Sequence, residues 1–370
     1  MRYENIAFGR FLDRPNRFIA RVEMDGRVET VHVKNTGRCR ELLLPGAEVS
    51  LQKADNPSRK TPYDLIAVKK EGLGWVNIDS QAANAVAGEW LAAQSGVGKI
   101  VPEYRLGDSR FDFYLEDEEG PLLLEIKSCT LEIEGMGFFP DAPTERGVKH
   151  LRELAALARE GKRCAVGFVI AMEGVDLVFP NRRTHPAFGD ALEEAFAAGV
   201  EILYLPCVVT ADSLAVRGCI RRSDFGKVMV SACLLGENCK YNGGNNRSEA
   251  VLRFLEELGA EAVPVCPEVA GGLPTPRIPA EIREGLVVNR EGASVDREYR
   301  LGAEICLESG EKAGTGLALL KAKSPSCGTR SVYDVTFSGR LVPGKGIFAA
   351  RLAEKGIPVL DETQIESLFE

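Results

Sequence analysis

The stretch Ser109–Ser128, SRFDFYLEDEEGPLLLEIKS, constrains this chain more tightly than any other. Two apolar runs, FDFYL and PLLLEIK, flank the acidic turn EDEEG, which is the pattern of a hairpin. Residues two apart on a strand share a face, so Glu125 and Lys127 project together while Ile126 faces the other way. Asp112, on the first strand, can lie opposite them. Two carboxylates and an amine beside a buried sheet suit Mg²⁺ or Mn²⁺ and an attacking water, with the lysine orienting that water or offsetting charge on a phosphate. A surface hairpin with a cross-strand ion pair fits the same D…ExK spacing. Glu103, just before the hairpin, is either a further acidic ligand or an exposed carboxylate.

A length of 370 residues suggests two or three domains, each able to bury its own core. No apolar run approaches membrane-spanning length, and MRYENIAFGRFLDRPNRF carries charges throughout with no apolar h-region. The expectation is therefore a cytoplasmic protein with no membrane partner. Ten cysteines in such a chain do not read as a disulfide framework. Five of them (Cys233, Cys239, Cys266, Cys306, Cys327) fall after residue 230, where a metal or redox role becomes plausible. A net charge of −8 argues against wholesale wrapping of nucleic acid. Its distribution is uneven: residues 1–100 carry 15 Lys/Arg against 12 Asp/Glu, and residues 101–220 carry 12 against 21. A mildly basic region before an acidic one permits the first to hold a polyanion and the second a metal.

Residues 1–78 read as all-β. RFIARVEMDGRVETVHVK gives two strands around Asp25-Gly26, and GAEVSLQKA and TPYDLIAVKK give two more. Several short strands in so few residues suggest a small barrel of the OB type. Arg14, Arg17, Arg21, Arg38 and Arg40, mixed with Phe11 and Phe18, suit stacking and phosphate contact with a single strand; a solvated barrel face over buried phenylalanines fits as well. From Asp79 to Ser95 the spacing is helical. Thr144 is the expected N-cap of a helix whose apolar stripe is Leu151, Leu154, Ala155 and Ala158. Arg146, Lys149 or His150, and Glu153 recur on another face of it, which either presents cations to a phosphate or is merely solvated. RCAVGFVIA, VDLVFP, HPAFGDALEEAFAAG and VEILYLPCVV complete an α/β domain, with His185 structural at a helix start.

NTGRCRELLLPG (Asn35–Gly46), SRFDF, LEIKS and FPDAPTERGVKHLREL (Phe139–Leu154) resemble the SfsA, or sugar fermentation stimulation protein, family. The resemblance implies an OB-like nucleic-acid-binding barrel over 1–78 and a PD-(D/E)XK nuclease-like domain over 79–220, with DNA binding and nuclease activity on DNA or RNA, single strands favoured. Asp112 and Glu125 match the metal positions and Lys127 the remaining catalytic one. Arg146 and His150 lie in the matching TERGVKH run and join Arg14, Arg17, Arg38 and Arg40 as candidate nucleic-acid-binding residues. Cys39 is a small departure from the family's pattern.

Residues 221–226 read as a linker, and 227–370 as a fresh α/β domain. Strands KVMVSAC, EAVPVC and GLALLKAK alternate with helices SEAVLRFLEELG, N-capped by Ser248, and REYRLGAEICLESGEK, which argues for a parallel sheet. Cys233, Cys266 and Cys327 each fall at or just beyond the C-terminal end of a strand, and in an open α/β sheet those ends converge on one crevice. Three thiolates there suit a soft metal or an iron–sulfur cluster; three buried small hydrophobes are the plainer reading. Zinc, with Cys239 as a fourth thiolate, is the inorganic competitor, although no CxxC pair is present. Glu268 and Ser324 should border the same crevice, one able to move a proton and the other to polarise a heterocycle. Arg277 and Lys323 suit either an anion or surface ion pairs. Cys129, Cys164, Cys207 and Cys306 read as packing residues and Cys219 as incidental.

SACLLGENCKYNG, CPEVAGGLPTPRIPAEI, LKAKSPSCG and GKGIFAARL resemble the family that includes thiouracil desulfidase. That resemblance implies a 4Fe–4S cluster held by Cys233, Cys266 and Cys327. The fourth iron would be open to sulfur from a thiolated nucleobase or related small molecule, with Glu268 and Ser324 handling substrate and protons. EGASVDREYRLGAE departs from the family's form and leaves substrate choice open. The expectation is thus a multi-domain chain: a metal-dependent nuclease followed by an iron–sulfur desulfidase. The rival is a non-catalytic DNA-binding regulator of sugar-metabolism genes carrying a redox-sensing or structural metal–cysteine domain.

Overall fold

Asp25 and Gly26 both take positive φ, 50° and 74°, the turn that joins two strands most tightly. They connect β2 (Ile19–Met24) to β3 (Arg27–Val33). With β1 (Ile6–Asn16), β4 (Glu48–Lys53), β5 (Tyr63–Lys70) and β6 (Gly74–Asn77), these form one sheet in the order β3-β2-β1-β4-β5-β6. Pairing of β3 with β5 at His32↔Asp64 and Val33↔Leu65 closes it into an OB-like barrel. Strands β1 and β6 add to the four expected. The computed structural model describes every residue from Met1 to Glu370 except Thr36, Pro57, Asp108 and Glu284, together with the side chain of Arg283. Thr36 of the NTGRCRELLLPG run therefore lies outside the described residues.

The chain divides into two compact units, Met1–Arg222 and Ser223–Glu370. In the first, helix α1 (Ala82–Ala92) follows the barrel, and β7 (Lys99–Leu106), β8 (Ser109–Asp117) and β9 (Gly120–Cys129) form an antiparallel meander. A small sheet joins β10 (Leu131–Ile133) and β11 (Met136–Phe139). Helix α2 (Glu145–Arg159) starts where expected, with the Thr144 hydroxyl accepting from Gly147 N at 3.1 Å. Next come β12 (Arg163–Ile170), β13 (Val178–Pro180), α3 (Pro186–Ala197), β14 (Glu201–Val209), β15 (Leu214–Val216) and β16 (Ile220–Arg221). The larger sheet runs β15-β14-β12-β9-β8-β7, with β16 also on β14. Strand β12 is parallel to both β9 and β14, so β9 sits in the interior of the sheet. The segment read as a linker is structured: Ile220 and Arg221 pair with β14, and Arg222–Gly226 form a 3₁₀ turn.

The second unit contains β17 (Lys227–Ser231), α4 (Glu249–Leu258), β18 (Glu261–Val265) and the short α5 (Pro267–Ala270). A hairpin of β19 (Ala280–Arg283) and β20 (Leu286–Asn289) leads to α6 (Asp296–Ala313) and β21 (Leu317–Leu320). A second hairpin, β22 (Ser331–Tyr333) and β23 (Leu341–Pro343), precedes α7 (Ile347–Glu354), β24 (Val359–Asp361) and α8 (Glu362–Phe369). The sheet is parallel, in the order β18-β17-β21-β24. The winding reverses between β17 and β21, which opens a crevice at their C-terminal ends. No described helix is long and apolar enough to cross a membrane.

Asp361 caps α8, accepting from Thr363 N (3.0 Å) and Gln364 N (3.1 Å), with Gln364 returning a bond to Asp361 N. Burial pushes its carboxyl up, but hydrogen bonds from Thr329 and Thr363 outweigh that and hold it below the usual value of 3.8. A carboxylate depressed in the folded state contributes stability above its unfolded pKa and loses it as pH falls through the folded value. Asp361→Ala should therefore cost about 1–2 kcal/mol at neutral pH. In urea melts the gap from wild type should close on acidification below 3.8; a gap independent of pH would contradict this.

Candidate active sites

The first centre forms where two strands part. The β8–β9 ladder runs from Asp117↔Gly120 to Phe113↔Leu124. At the next position the Asp112 side chain takes the place of a ladder partner: its Oδ2 accepts the backbone N–H of Ile126 at 2.7 Å. Its Oδ1 accepts from Asn84 Nδ2 of α1, also at 2.7 Å. Glu125 and Lys127 share a face as the strand period requires, and Lys127 Nζ bonds Glu125 Oε1. His150 of α2 reaches the same oxygen through Nδ1. Its Nε2 accepts from Arg146 Nε at 3.3 Å, which places the ring proton on Nδ1, facing Glu125. Glu125 is 3% exposed, and its buried Oε2 has no hydrogen-bond partner among the described residues. Burial and the Glu125 charge push the Asp112 carboxyl up. Burial also opposes ionisation of Glu125, but His150 and Lys127 outweigh it and hold that carboxyl down. One acid is thus biased toward its proton and the other toward its charge.

The remaining candidates separate. Glu103 is exposed and pairs with Arg110 at 2.9 Å. Both ring nitrogens of His150 are engaged, so it faces the acids rather than solvent. Arg14 does not face a ligand either: Nη1 donates to Gly37 O and Arg38 O, each at 2.9 Å, and Nη2 to Arg17 O (2.6 Å) and Asn35 O (2.7 Å). It draws the β1–β2 turn together with Asn35, Gly37 and Arg38 and leaves Arg17, Arg38 and Arg40 exposed, with Arg17 over the ring of exposed Phe18. Phe11 is buried, and Arg21 pairs with Asp13. Lysine cannot span four carbonyls, so Arg14→Lys should cost about 2–3 kcal/mol in a denaturant melt; a loss under about 0.5 kcal/mol would show the four bonds to be dispensable. His185 receives Thr144 N at Nδ1, a structural contact.

The second centre lies in the crevice of the parallel sheet. A cavity of about 600 Å³ is lined by Cys233, Cys239, Cys266 and Cys327 together with Glu268, Ser324, Arg277 and Lys323. Cys233 sits one turn beyond β17, Cys266 directly after β18 and Cys327 in the loop after β21. Cys239 hydrogen-bonds with Cys233 and Cys266, which lowers both thiols, Cys266 to about 7, and raises its own. Burial raises Cys327. Cys129, Cys164, Cys207 and Cys306 are buried outside this cavity, as packing residues should be.

Arg277 does not form a surface ion pair. Its side chain is 6% exposed and grips Glu268 Oε2, with Nε at 2.6 Å, while Nη2 also donates to Cys239 O at 3.0 Å. Lys323 is exposed on the rim, at φ 65°. Glu268 rides on α5, which meets α6 backbone to backbone. A Cβ on Gly302 would lie 1.7 Å from Pro267 O, and one on Gly271 1.9 Å from Glu298 O. Spacing missed Tyr299, which hydrogen-bonds Glu268, and Ser326, whose only signal is its place in SPSCG. Asn84, in QAANA, carries no signal at all.

Three family models match the chain: the SfsA N-terminal OB domain over residues 12–78, the sugar fermentation stimulation protein RE domain over 81–213, and 2-thiouracil desulfurase over 228–364. A sugar fermentation stimulation protein homolog of Desulfitobacterium hafniense (strain Y51) is 54% identical over 216 residues, 58% of this chain and 94% of that one. One from Ruminiclostridium cellulolyticum is 50% identical over 56% and 93%. Among solved structures, Pyrococcus furiosus SfsA in complex with Ca²⁺ is 31% identical over 59% of this chain and 96% of that one, with a TM-score of 0.53. A [4Fe-4S]-dependent thiouracil desulfidase is 43% identical over 38% and 94%, at a TM-score of 0.36, too low to bear on the fold. The chain belongs to the sugar fermentation stimulation protein family through its barrel and the RE domain that follows, and it carries a 2-thiouracil desulfurase domain behind them.

Proposed function

We propose that the first unit is a metal-dependent nuclease of the PD-(D/E)XK type acting on DNA or RNA. The observation that carries this is Glu125 Oε2, a buried carboxylate oxygen without a partner among the described residues. Such a group is costly unless something completes it, and a hard divalent cation, Mg²⁺ or Mn²⁺, suits oxygen donors. Asp112 keeps a second lone pair on each oxygen, so Asp112 and Glu125 would hold the ion. Calcium in the Pyrococcus furiosus relative supports a divalent cation here. Bound there, the ion would supply positive charge at a phosphate and an acidified water. Lys127 orients that water, His150 and Arg146 hold Glu125 in place, and the exposed Arg17, Arg38 and Arg40 would contact a single strand.

The second unit we propose as a desulfidase acting on thiolated nucleobases, with a 4Fe–4S cluster on Cys233, Cys266 and Cys327. The support is a soft donor set in a cavity that also contains Glu268 and Ser324, together with the 2-thiouracil desulfurase match. The cluster would supply a thiophilic iron to take the departing sulfur. Ser324 binds the heterocycle, and Glu268, fixed by Arg277, moves protons. Joined in one chain, the two activities suit breakdown of thio-modified nucleic acid.

The full chain, purified without oxygen, should cleave DNA or RNA with Mg²⁺ or Mn²⁺ and stop when the metal is chelated. It should also release sulfide from 2-thiouracil. A protein that binds nucleic acid with either ion but never cleaves it is a regulator instead.

A further inference from the structure

Strands β8 and β9 stay paired only as far as Phe113↔Leu124, whereas β7 and β8 continue to Leu106↔Ser109. Beyond the first centre the β7–β8 hairpin is therefore a two-stranded arm, with Asp112 at its base. Tyr114 stands opposite Leu123, and cross-strand partners share a face. Its ring thus lies on the side of Glu125 and Lys127. Strand alternation would turn Tyr104 to the other side, that of Pro102 and Phe113. Glu103 breaks the alternation, because its φ of 55° is a left-handed conformation unfavourable to a residue with a Cβ. Tyr104 consequently meets Tyr114: the two half-buried rings stack, with centroids 4.6 Å apart and planes 25° from parallel. Tyr114 is itself fixed, its hydroxyl donating to Glu116 Oε1 at 2.6 Å and Lys99 Nζ lying 5.6 Å from its ring centroid.

The arm also carries charge that the fold does not use. Arg105 and Arg110 oppose each other directly across the ladder, which is destabilising for like charges. Glu103 offsets Arg110 at 2.9 Å, but exposed Arg105 has no ion-pair partner among the described residues. An anion at the pair would remove the repulsion. The acidic turn at the far end of β8 does not compete for it, since Arg163 already holds Asp117 and Glu119. An acidic peptide would satisfy the arginines and leave the stacked rings unused, whereas a nucleic-acid strand uses both.

We propose that this arm is a single-strand subsite of the first unit: Tyr104, backed by Tyr114, stacks on one unpaired base, and Arg105 with Arg110 takes a phosphate of the same strand. The subsite rests on the nuclease reading above. A base closed inside a duplex offers no face to Tyr104, so the arm selects single strands for the centre at its base.

The test measures binding of a fluorescein-labelled, mixed-sequence single strand, as DNA and as RNA, to the full-length protein in EDTA, where metal-dependent cleavage is off. Tyr104→Ala and Tyr104→Leu should each weaken binding about tenfold or more, the second despite keeping apolar bulk, and Tyr104→Phe should bind like wild type. On an abasic strand of the same length these variants and wild type should bind alike. Arg105→Ala should weaken binding to both strands and lower the slope of log Kd against log salt by about 0.7, which Tyr104→Ala should leave unchanged. Thermal melts of all variants should stay within a few degrees of wild type. If Tyr104→Ala binds within about twofold of wild type, or loses as much on the abasic strand as on the normal one, the stacking subsite is wrong. Cleavage by wild type with Mg²⁺ would then leave the nuclease reading standing. If the variants behave as expected but wild type never cleaves, the subsite holds and the nuclease reading falls. A wild type that binds neither DNA nor RNA overturns the subsite.

Discussion

Asp112→Asn should abolish metal-dependent cleavage of DNA and RNA, by about 10³-fold or more, while leaving the fold intact. The size follows from losing a metal-binding charge worth several kcal/mol at the transition state. The survival of the fold follows from the two bonds Asp112 makes. An asparagine oxygen can still accept the Ile126 N–H, and Asn84 can turn its amide to present oxygen to the new NH₂. Thermal melts of variant and wild type should therefore agree within a few degrees. A variant that cleaves as fast as wild type would remove the nuclease reading. Wild type that binds nucleic acid, with cleavage absent from both proteins, would move the first unit to the regulator class.

The second large effect concerns the cysteines. Cys327→Ser should remove the brown absorbance of the anaerobically purified protein almost completely, and Cys239→Ser should leave it. Serine replaces a soft thiolate by a hard hydroxyl, and iron–sulfur clusters hold poorly to such a donor. The competing outcome is concrete, because Cys239 hydrogen-bonds Cys233 and Cys266 and lines the same cavity. If Cys239→Ser strips the metal as thoroughly as Cys327→Ser, and the wild-type protein is colourless and zinc-loaded, the site is a closed four-thiolate structural centre.

The parts of both centres legible in the sequence are those set by local periodicity. Glu125 and Lys127 share a face because strands alternate. Thr144 caps α2 because a hydroxyl can satisfy an orphan N–H. Cys233, Cys266 and Cys327 meet because parallel strands point their C-terminal ends the same way. What escaped depends on chain closure. Arg14 looked like a phosphate contact, and nothing local shows that carbonyls up to 24 residues away converge on its guanidinium. His150 lies on the charged face of α2, but its ring turns inward because β9 presents an acid there. Arg277 read equally as an anion contact or a surface cation, whereas the loop after α5 folds it onto Glu268. Asn84 has no pattern to announce it, since only the docking of α1 against the parted strands brings it to Asp112. β6 is four residues long, too short to carry its own period.

The bare backbone contact between α5 and α6 bears on how the second unit can diverge. A helix of four residues has no cooperativity of its own, so Glu268 borrows its rigidity from an 18-residue neighbour. Tyr241 and Lys323, exposed side chains that line the cavity, can be exchanged without disturbing that seam. Gly271 and Gly302 cannot, because a single methyl at either would pry the acid out of register with its serines. The cavity rim is free to drift, while the carboxylate proposed to move protons is locked by two glycines set in the seam between the helices.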